Sequence, residues 1–174
     1  AYTPSELGSI EKIRNLTVGV KMTEIDSPTH HVTMKSGVIE GNPNLVGFGE
    51  VVLDESIEEC ACMEYMNYSR RNYKDFYNNN GGILKNIFKN SNHRFINRSI
   101  YDLSIPGFDL RQFIWRVLWQ RIDDDTLVVV YEPVNDLDPV WKFPPTPKGV
   151  VEANSWTSVT YQKLSAINGI PQTN

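Results

Sequence analysis

The chain has 174 residues, of which 40% are hydrophobic and 22% charged, and this is enough apolar content for one buried core. Its formal net charge of −4 argues against a nucleic-acid surface, because phosphate binding requires clustered Lys and Arg. No apolar run approaches the roughly 20 residues of a transmembrane helix, and no signal-peptide pattern is visible. We therefore expect one domain over residues 1–174, with no nucleic-acid partner.

The first third of the chain predicts a helical segment followed by strands. Apolar residues recur at helical intervals in 1–16, which we interpret as an N-terminal helix or arm. Stretches rich in β-branched residues, separated by turn residues, then predict three strands. These strands are expected within 17–25, 31–40 and 44–53.

Segment 54–77 has the best helical pattern of the chain. It contains no Gly or Pro, begins with acidic residues and offers Ser56 as an N-cap. Its apolar residues recur at helical spacing until the Asn- and Gly-rich stretch 78–82. The sequence therefore predicts one long internal helix between the first three strands and four or five later antiparallel strands, which is an α+β arrangement.

The only two cysteines, Cys60 and Cys62, fall inside this predicted helix. At positions i and i+2 their side chains point away from each other, so we expect neither a disulfide nor a zinc site there. Unpaired cysteines favour a reducing compartment, and we predict a cytoplasmic or other intracellular location.

The densest apolar stretch is "FDLRQFIWRVLWQRIDDDTLVVVYEPV", residues 108–134. Its first half predicts an unusually long strand, in which alternate side chains point to opposite faces. One face is apolar and mostly aromatic and the other is mixed. The pattern leaves open whether the aromatic face packs on the long helix or lines a cavity. The aromatic face consists of Phe113, Trp115, Val117 and Trp119.

Catalytic motifs are absent from the sequence. We find no Gly-x-Ser-x-Gly, phosphate-binding loop, Gly-x-Gly-x-x-Gly or His-Glu-x-x-His pattern. The three Asp at 123–125 are expected to form a solvated hairpin tip rather than a cation site. We therefore expect a protein that is not an enzyme and that requires neither a metal nor another cofactor.

Three passages, taken in order, resemble a START (lipid-transfer) domain of the helix-grip, Bet v 1-like superfamily. They are "SIEECACMEYMNYSRRNY", "RSIYDLSIPGFDLRQFIWRVLWQRIDDDTLVVVYEPV" and "TSVTYQKLSAINGIP". In the second passage a Pro precedes an Arg-x-Phe pair (Arg111 and Phe113), a long strand, an Asp-rich tip and a returning strand. The third resembles the family's last strand, ending at a Gly-x-Pro-like stop at 169–171. The resemblance covers roughly residues 45–171.

The resemblance implies a helix-grip fold, in which a curved antiparallel sheet wraps around a C-terminal helix with a lipid or sterol between them. It places Arg111 near the rim of the cavity and Phe113, Trp115 and Val117 in its wall. Arg116 or Arg111 would hold an anionic head group. The set of ligand-binding residues that we predict adds two residues of the returning strand: Arg111, Phe113, Trp115, Arg116, Val117, Val128 and Val130.

Two departures from the family pattern matter for function. The family's lid helix follows the Gly-x-Pro stop, but this sequence extends only three residues beyond Pro171. We expect the lid helix to have been removed, to lie in a longer parent chain, or to be supplied by another molecule. The Pro-rich segment "DPVWKFPPTPKG" (138–149) also replaces a stretch that usually contributes a strand. An open groove would expose an apolar patch, so a protein partner or a second copy would be expected to cover it.

Three hypotheses follow. The first is a non-enzymatic lipid-binding module that makes transient membrane contact. The second is a START-like scaffold or protein-interaction domain, part of a larger protein or assembly, whose groove is filled by its own side chains. The third is a helix-grip enzyme, which lacks a convergent acid–base pair. A sterol, a phospholipid, a fatty acid and an isoprenoid all require similar cavity walls, so the sequence does not name the ligand.

Overall fold

A computed structural model describes residues 1–41, 44–66, 69–89, 91–134 and 143–174. These ranges contain three helices and ten strands. None of these helices is long and apolar enough to span a membrane. In chain order the elements are α1 (Pro4–Arg14), β1 (Met22–Ile25), β2 (Thr33–Val38), β3 (Leu45–Glu50), α2 (Ile57–Tyr65), α3 (Arg70–Asn79), β4 (Gly82–Lys89), β5 (Arg94–Tyr101), β6 (Leu110–Asp123), β7 (Thr126–Pro133), β8 (Val150–Glu152), β9 (Thr157–Ile167) and β10 (Ile170–Thr173).

The strands form one small and one large sheet. The small sheet has the order β1-β2-β3, and the large one has the order β10-β9-β7-β6-β5-β4, with β8 added in parallel to the start of β6. Every other pairing is antiparallel, and an isolated antiparallel bridge pairs Leu53, in the chain after β3, with Thr173 of β10. The large sheet is strongly curled, as long antiparallel sheets tend to be. The predicted α+β class with a curved antiparallel sheet is confirmed.

The prediction of one long internal helix is wrong, because two helices occupy that segment. Helix α2 ends at Tyr65, and the side chain of Ser69 accepts a hydrogen bond from the backbone N–H of Asn72 to begin α3. The Asn72 side-chain amide donates to the carbonyls of Met63 and Met66 at the end of α2, and the Met66 carbonyl also accepts a hydrogen bond from the Ser69 backbone N–H. The hydrogen bonds at the end of α2 and at the start of α3 therefore interrupt the single helix that the apolar periodicity predicts. Residues 67–68 of the predicted helix lie outside the described residues.

Each of the two helices packs on its own part of the sheet. Helix α2 buries Ile57, Ala61 and Tyr65 against the centre of the large sheet. Helix α3 buries Phe76 against β4, where the ring lies so close to Gly82 that a Cβ there would stand 2.4 Å from it. The start of β4 therefore requires glycine at this close approach.

The predicted stop at 169–171 is a hairpin turn. Asn168 and Gly169 both have positive φ angles, 52° and 80°, as a two-residue turn between antiparallel strands requires. The chain then returns as β10 beside β9. Within the described ranges no helix follows α3.

Strand β6 separates two packed faces, as its alternation predicts. On one face Val117 is fully buried beneath α2, together with Phe95 of β5 and Val129 of β7. On the other face Leu118 is fully buried beneath α1. We call the α2-covered face the inner face and the α1-covered face the outer face.

Part of the Pro-rich segment is anchored on the outer face, whereas residues 138–142 lie outside the described residues. Arg98 is 1% exposed, and its guanidinium donates to the Gln112 side chain at 2.8 Å and to the Pro144 carbonyl at 2.5 Å. Gln112 in turn donates to the Thr146 hydroxyl at 3.1 Å. This buried network of hydrogen bonds thus holds Pro144 and Thr146 against β5 and β6.

Candidate functional site

The predicted wall residues of β6 lie on the inner face, where they contact one another. The rings of Phe113 and Trp115 stack with centroids 4.8 Å apart, and Trp115 also meets the edge of Tyr131. The Trp115 indole N–H donates to the carbonyl and hydroxyl oxygens of Ser155 at 3.2 and 3.1 Å. Trp115 therefore holds the chain that leads into β9, in addition to forming part of the inner face.

Arg111 lies at the start of β6, in the inner-face phase. Its guanidinium stacks over the ring of Phe108 at 5.4 Å and donates to the Asp109 carbonyl at 2.9 Å. Both contacts are local and leave the residue partly exposed at the end of the sheet. Arg111 thus lies at one end of the large sheet, and its place at the rim of a ligand cavity stays a prediction.

Three predicted site residues lie on the outer face instead. Val128 and Val130 are fully buried beneath α1. Arg116 forms an ion pair with Glu132 and donates to the Ser9 hydroxyl at 3.0 Å. The structure therefore separates these residues from Phe113, Trp115 and Val117 by the thickness of the sheet. The cause is register, because neighbouring residues of one strand cannot share a face.

A large cleft lies between α2, α3 and the inner face. Its volume is about 880 Å³ and it opens to solvent. Tyr101 of β5 and Tyr161 of β9 reach it from the sheet, and the remaining lining comes from the two helices and the chain before α2. The lining residues are Leu53, Asp54, Glu55, Glu59, Cys60, Cys62, Met63, Glu64, Arg71, Asn72, Asp75, Phe76, Asn80, Tyr101 and Tyr161.

None of the seven predicted site residues lines this cleft, although Phe113, Trp115 and Val117 belong to the same face of the sheet. Tyr101 pairs with Arg111 in the register of β5 and β6, and Tyr161 pairs with Leu127. Strand phase alone could have assigned both tyrosines to the inner face. The residues of α3 that line the cleft could not be predicted from the sequence pattern, because their position depends on the break between α2 and α3.

The floor of the cleft is apolar and its tyrosines are neutral. Burial, followed by the nearby Glu64 carboxylate, raises the pKa of Tyr161 well above its ordinary value, and burial raises the pKa of Tyr101. Burial likewise raises the pKa of the Cys60 thiol, which is therefore a poor nucleophile. Glu64 accepts a hydrogen bond from the Tyr131 hydroxyl. These groups offer hydrogen bonds and apolar surface rather than a reactive centre.

Lys85 is buried behind this cleft, on the inner face of β4. Its ammonium lies 5.0 Å from the ring centroid of Phe76 and 5.7 Å from that of Tyr73. Burial lowers the pKa of Lys85 to about 8, although the Glu64 carboxylate acts in the opposite direction. Burial in the folded protein thus destabilises the charged form of the Lys85 amine.

We expect the contribution of Lys85 to stability to rise with pH between about 8 and 10.5, so the stability of the unmodified protein should increase relative to that of Lys85→Met across this range. The raised pKa values of Cys60, Tyr101 and Tyr161 act in the opposite direction, and they do so in both proteins. In that window the unfolded chain keeps the Lys85 proton and the folded protein has lost it, so folding becomes more favourable as pH increases. After allowance for solvent screening the effect is about 1–2 kcal/mol. Urea unfolding of both proteins across this range measures it. Parallel curves for the two proteins would contradict the assignment.

Within the described ranges, no three His, Cys, Asp or Glu side chains are placed to share a metal ion. Cys60 and Cys62 are free thiols, one buried and one exposed.

No protein-family model matches this chain, and no curated protein sequence matches it either. Solved structures do match. The STAR-related lipid transfer protein of Xanthomonas axonopodis, a fragment, superposes with a TM-score of 0.63 at 14% identity, over 88% of this chain and 78% of that one. Human StAR-related lipid transfer protein 5 gives a TM-score of 0.66 at 17% identity, over 96% and 76%. The human StarD13 (DLC2) lipid transfer and protein localization domain gives 0.62 at 11%, over 99% and 81%.

The chain therefore has a START-like helix-grip fold, which confirms the resemblance stated from the sequence. At these identities the likeness is one of fold.

Proposed function

We propose that this chain binds a lipid or another hydrophobic ligand non-covalently in the cleft between α2, α3 and the inner face, and that it is not an enzyme. The observation that carries the proposal is the open cleft of about 880 Å³ with an apolar floor, on a START-like fold. Ligand pockets typically measure about 300–1,000 Å³, so a sterol or a single-chain lipid is the expected size of ligand. The similar structures named above are two lipid transfer proteins and a lipid transfer and protein localization domain, which supports the same class of function.

Affinity would come from the burial of apolar surface, at about 25 cal/mol per Å² less the cost of ordering the ligand. Met63, Phe76 and the rings of Tyr101 and Tyr161 provide that surface. Met63 is 49% exposed without a ligand, so a bound chain would gain by covering it. Since the cleft opens to solvent, we further propose transient membrane contact as the route by which the ligand is exchanged.

Met63→Gln is expected to weaken binding about five- to tenfold while leaving stability unchanged. The substitution removes apolar contact worth about 1 kcal/mol from a residue that lines the cleft. The experiment titrates the neutral dye Nile red into the protein and displaces it with oleyl alcohol. Met66→Gln is the matched control, because Met66 is also exposed, lies directly after α2 and does not line the cleft.

If neither the dye nor oleyl alcohol binds, the proposal of a lipid-binding cleft is contradicted. Equal weakening by Met63→Gln and Met66→Gln would place the binding site elsewhere. Native mass spectrometry of protein from its own source, followed by organic extraction, would identify the natural ligand if it remains bound.

A second candidate is a START-like scaffold or interaction domain whose groove is filled. In favour of it, Phe95, Val117 and Val129 are fully buried beneath α2, so side chains and a helix of this chain cover the centre of the inner face. Under this hypothesis a protein partner or a second copy would cover the open cleft. A protein that binds neither probe yet elutes as a dimer, or in a stable complex, would support it.

We also propose that residues 1–174 act as one START-like unit. Helix α1, near the beginning, packs on the large sheet, and β10, near the end, is one of the strands of that sheet. Limited proteolysis should then leave α1 attached to the sheet.

A further inference from the structure

Residues 143–149, which we call the proline strap, cover part of the outer face between β7 and β8. The strap contains no helix or strand, and every residue from Pro144 to Gly149 is exposed. Three of its residues are proline, which fixes φ near about −65°, and the residue before each proline is restricted to extended backbone. The strap is therefore an extended surface segment.

Thr146 of the strap has the sequence pattern of a kinase substrate. It is followed directly by Pro147, and Pro144 stands two residues before it. Proline-directed protein kinases phosphorylate Ser or Thr before proline, and they bind the substrate as an extended segment. The sequence has two other such pairs, but the hydroxyl of Thr3 caps α1 and that of Ser27 closes a local turn. Thr146 is thus the hydroxyl of this pattern that lies on extended chain.

The Thr146 hydroxyl lies close to a buried guanidinium, with one side chain between them. It accepts a hydrogen bond from the Gln112 side-chain N–H at 3.1 Å. The side-chain oxygen of the same Gln112 lies 3.4 Å from the hydroxyl and accepts from the Arg98 Nε at 2.8 Å. The ring of Phe143 also lies against this guanidinium, with its centroid 5.9 Å away. The strap therefore passes directly over Arg98.

Arg98 lacks an anionic partner within the part of the chain that the structure describes. It is 1% exposed, and no described carboxylate lies within 4.0 Å of its guanidinium. Its Nη2 nitrogen has no hydrogen-bond partner. Glu152 is an exposed acid whose charge acts on Arg98 from a greater distance. Because a buried charge without a counter-ion is costly, this guanidinium would gain from an anion with a free acceptor oxygen.

We propose that Thr146 is a phosphorylation site for a proline-directed protein kinase and that Arg98 binds the resulting phosphate. In this transfer the Thr146 oxygen forms a bond to the γ-phosphorus of ATP, the bond from that phosphorus to ADP breaks, and the hydroxyl proton passes to the kinase. The phosphate carries about −1.5 to −2 charges and three acceptor oxygens at neutral pH. It supplies the counter-charge of Arg98 and an acceptor for Nη2, so it fastens the strap to β5 and β6.

The first experiment tests the modification. The whole chain is incubated with ATP and a recombinant mitogen-activated protein kinase, and the phosphate is located by mass spectrometry. We expect Thr146 to be phosphorylated before the other two Ser/Thr-Pro pairs. Pro147→Ala should abolish the phosphate on Thr146, whereas the matched variant Pro28→Ala should leave it unchanged. A synthetic peptide of residues 143–149 shows whether the kinase accepts the isolated segment.

A phosphorylated peptide beside an unmodified Thr146 in the folded chain would overturn the proposal, because the site would be inaccessible in the fold. Failure of the kinase to modify either the peptide or the protein would overturn it as well. Equal phosphorylation of Thr146 and Ser27 would contradict the special role of the strap.

The second experiment tests the pairing with Arg98 by phosphorus NMR of the phosphorylated chain. A neighbouring guanidinium favours the dianion, so the pKa of the phosphate should fall about one unit below its ordinary value of about 6. Unfolding in urea should restore the ordinary value. Arg98→Met should remove the shift, whereas Lys148→Met, which removes the same charge from an exposed residue of the strap, should leave most of it.

The urea midpoint of the unmodified sequence gives a readout that needs no variant of the buried Arg98. Phosphorylation should raise this midpoint, because the phosphate pairs with Arg98 only in the folded chain. An ordinary phosphate pKa in the folded protein, an unchanged or lower midpoint, or the same pKa shift in Arg98→Met would each overturn the pairing. These outcomes are independent of lipid binding, because the strap lies on the outer face and the cleft on the inner face.

Discussion

Phe95→Ala is expected to lower the free energy of unfolding by about 3–5 kcal/mol, the largest effect among the substitutions considered. Phe95 is fully buried at the centre of the inner face. Its ring meets the edge of Tyr65 of α2 at a centroid distance of 5.0 Å, and it pairs with Val117 in the register of β5 and β6. Truncation would leave a cavity beneath α2 that neither the helix nor the sheet can close without losing other contacts.

Urea unfolding followed by circular dichroism measures this loss. Phe108→Ala provides the control, because Phe108 is 57% exposed in the connection between β5 and β6 and should change stability by no more than about 0.5 kcal/mol. A loss below about 1 kcal/mol for Phe95→Ala would contradict the packing of α2 on the inner face.

Glu6→Ala is expected to cost about 3 kcal/mol, because this carboxylate attaches α1 to the sheet. Glu6 is 1% exposed; it accepts a hydrogen bond from the Thr3 backbone N–H at 2.7 Å and one from Arg94 at 2.9 Å. The Glu6 backbone N–H donates to the Thr3 hydroxyl at 3.2 Å, which completes a capping box. Since Arg94 is partly exposed, we place the cost at the lower end of the range for buried ion pairs.

The same residue makes a prediction about acid stability. Burial tends to raise the pKa of Glu6, but the hydrogen bonds from Thr3 and the charge of Arg94 outweigh it and lower the pKa below its ordinary value. A lowered pKa in the folded state stabilises the protein above about pH 4.5, and this contribution is lost as pH falls through the folded pKa.

The difference in stability between the unmodified protein and Glu6→Gln should therefore shrink in acid. Glu11→Ala, an exposed position on the same helix, should have no comparable effect at any pH. A constant difference between the unmodified protein and Glu6→Gln down to about pH 3 would contradict the ionised pair.

The alternation of side chains along β6 shows which structural features can be predicted from local sequence pattern. Phe113, Trp115 and Val117 were assigned to one face from period two alone, and the structure places them there. Two other elements also follow from local pattern. Asn168-Gly169 is a strong hairpin sequence, and the apolar run after Gly82 forms β4. Both follow from residues close together in the chain.

The break between α2 and α3 marks the limit of such reasoning. Helical spacing continues through 54–77, and the two caps gain their advantage only because Asn72 folds back onto the last carbonyls of α2. A pattern of apolar residues does not reveal which of two competing hydrogen-bond arrangements is satisfied.

By itself, the sequence determined the α+β class, the long central strand, its two faces and, through resemblance, the START-like helix-grip fold. Strand periodicity depends on residues that are close together in the chain, so it can be predicted from the sequence alone. Only the tertiary structure decided that α1 covers Val128 and Val130, that Arg116 pairs with Glu132, and that the cleft is lined by Tyr101, Tyr161 and the carboxylates of two helices. These groups are distant in the chain, and they meet only because strand pairing and helix packing bring them together.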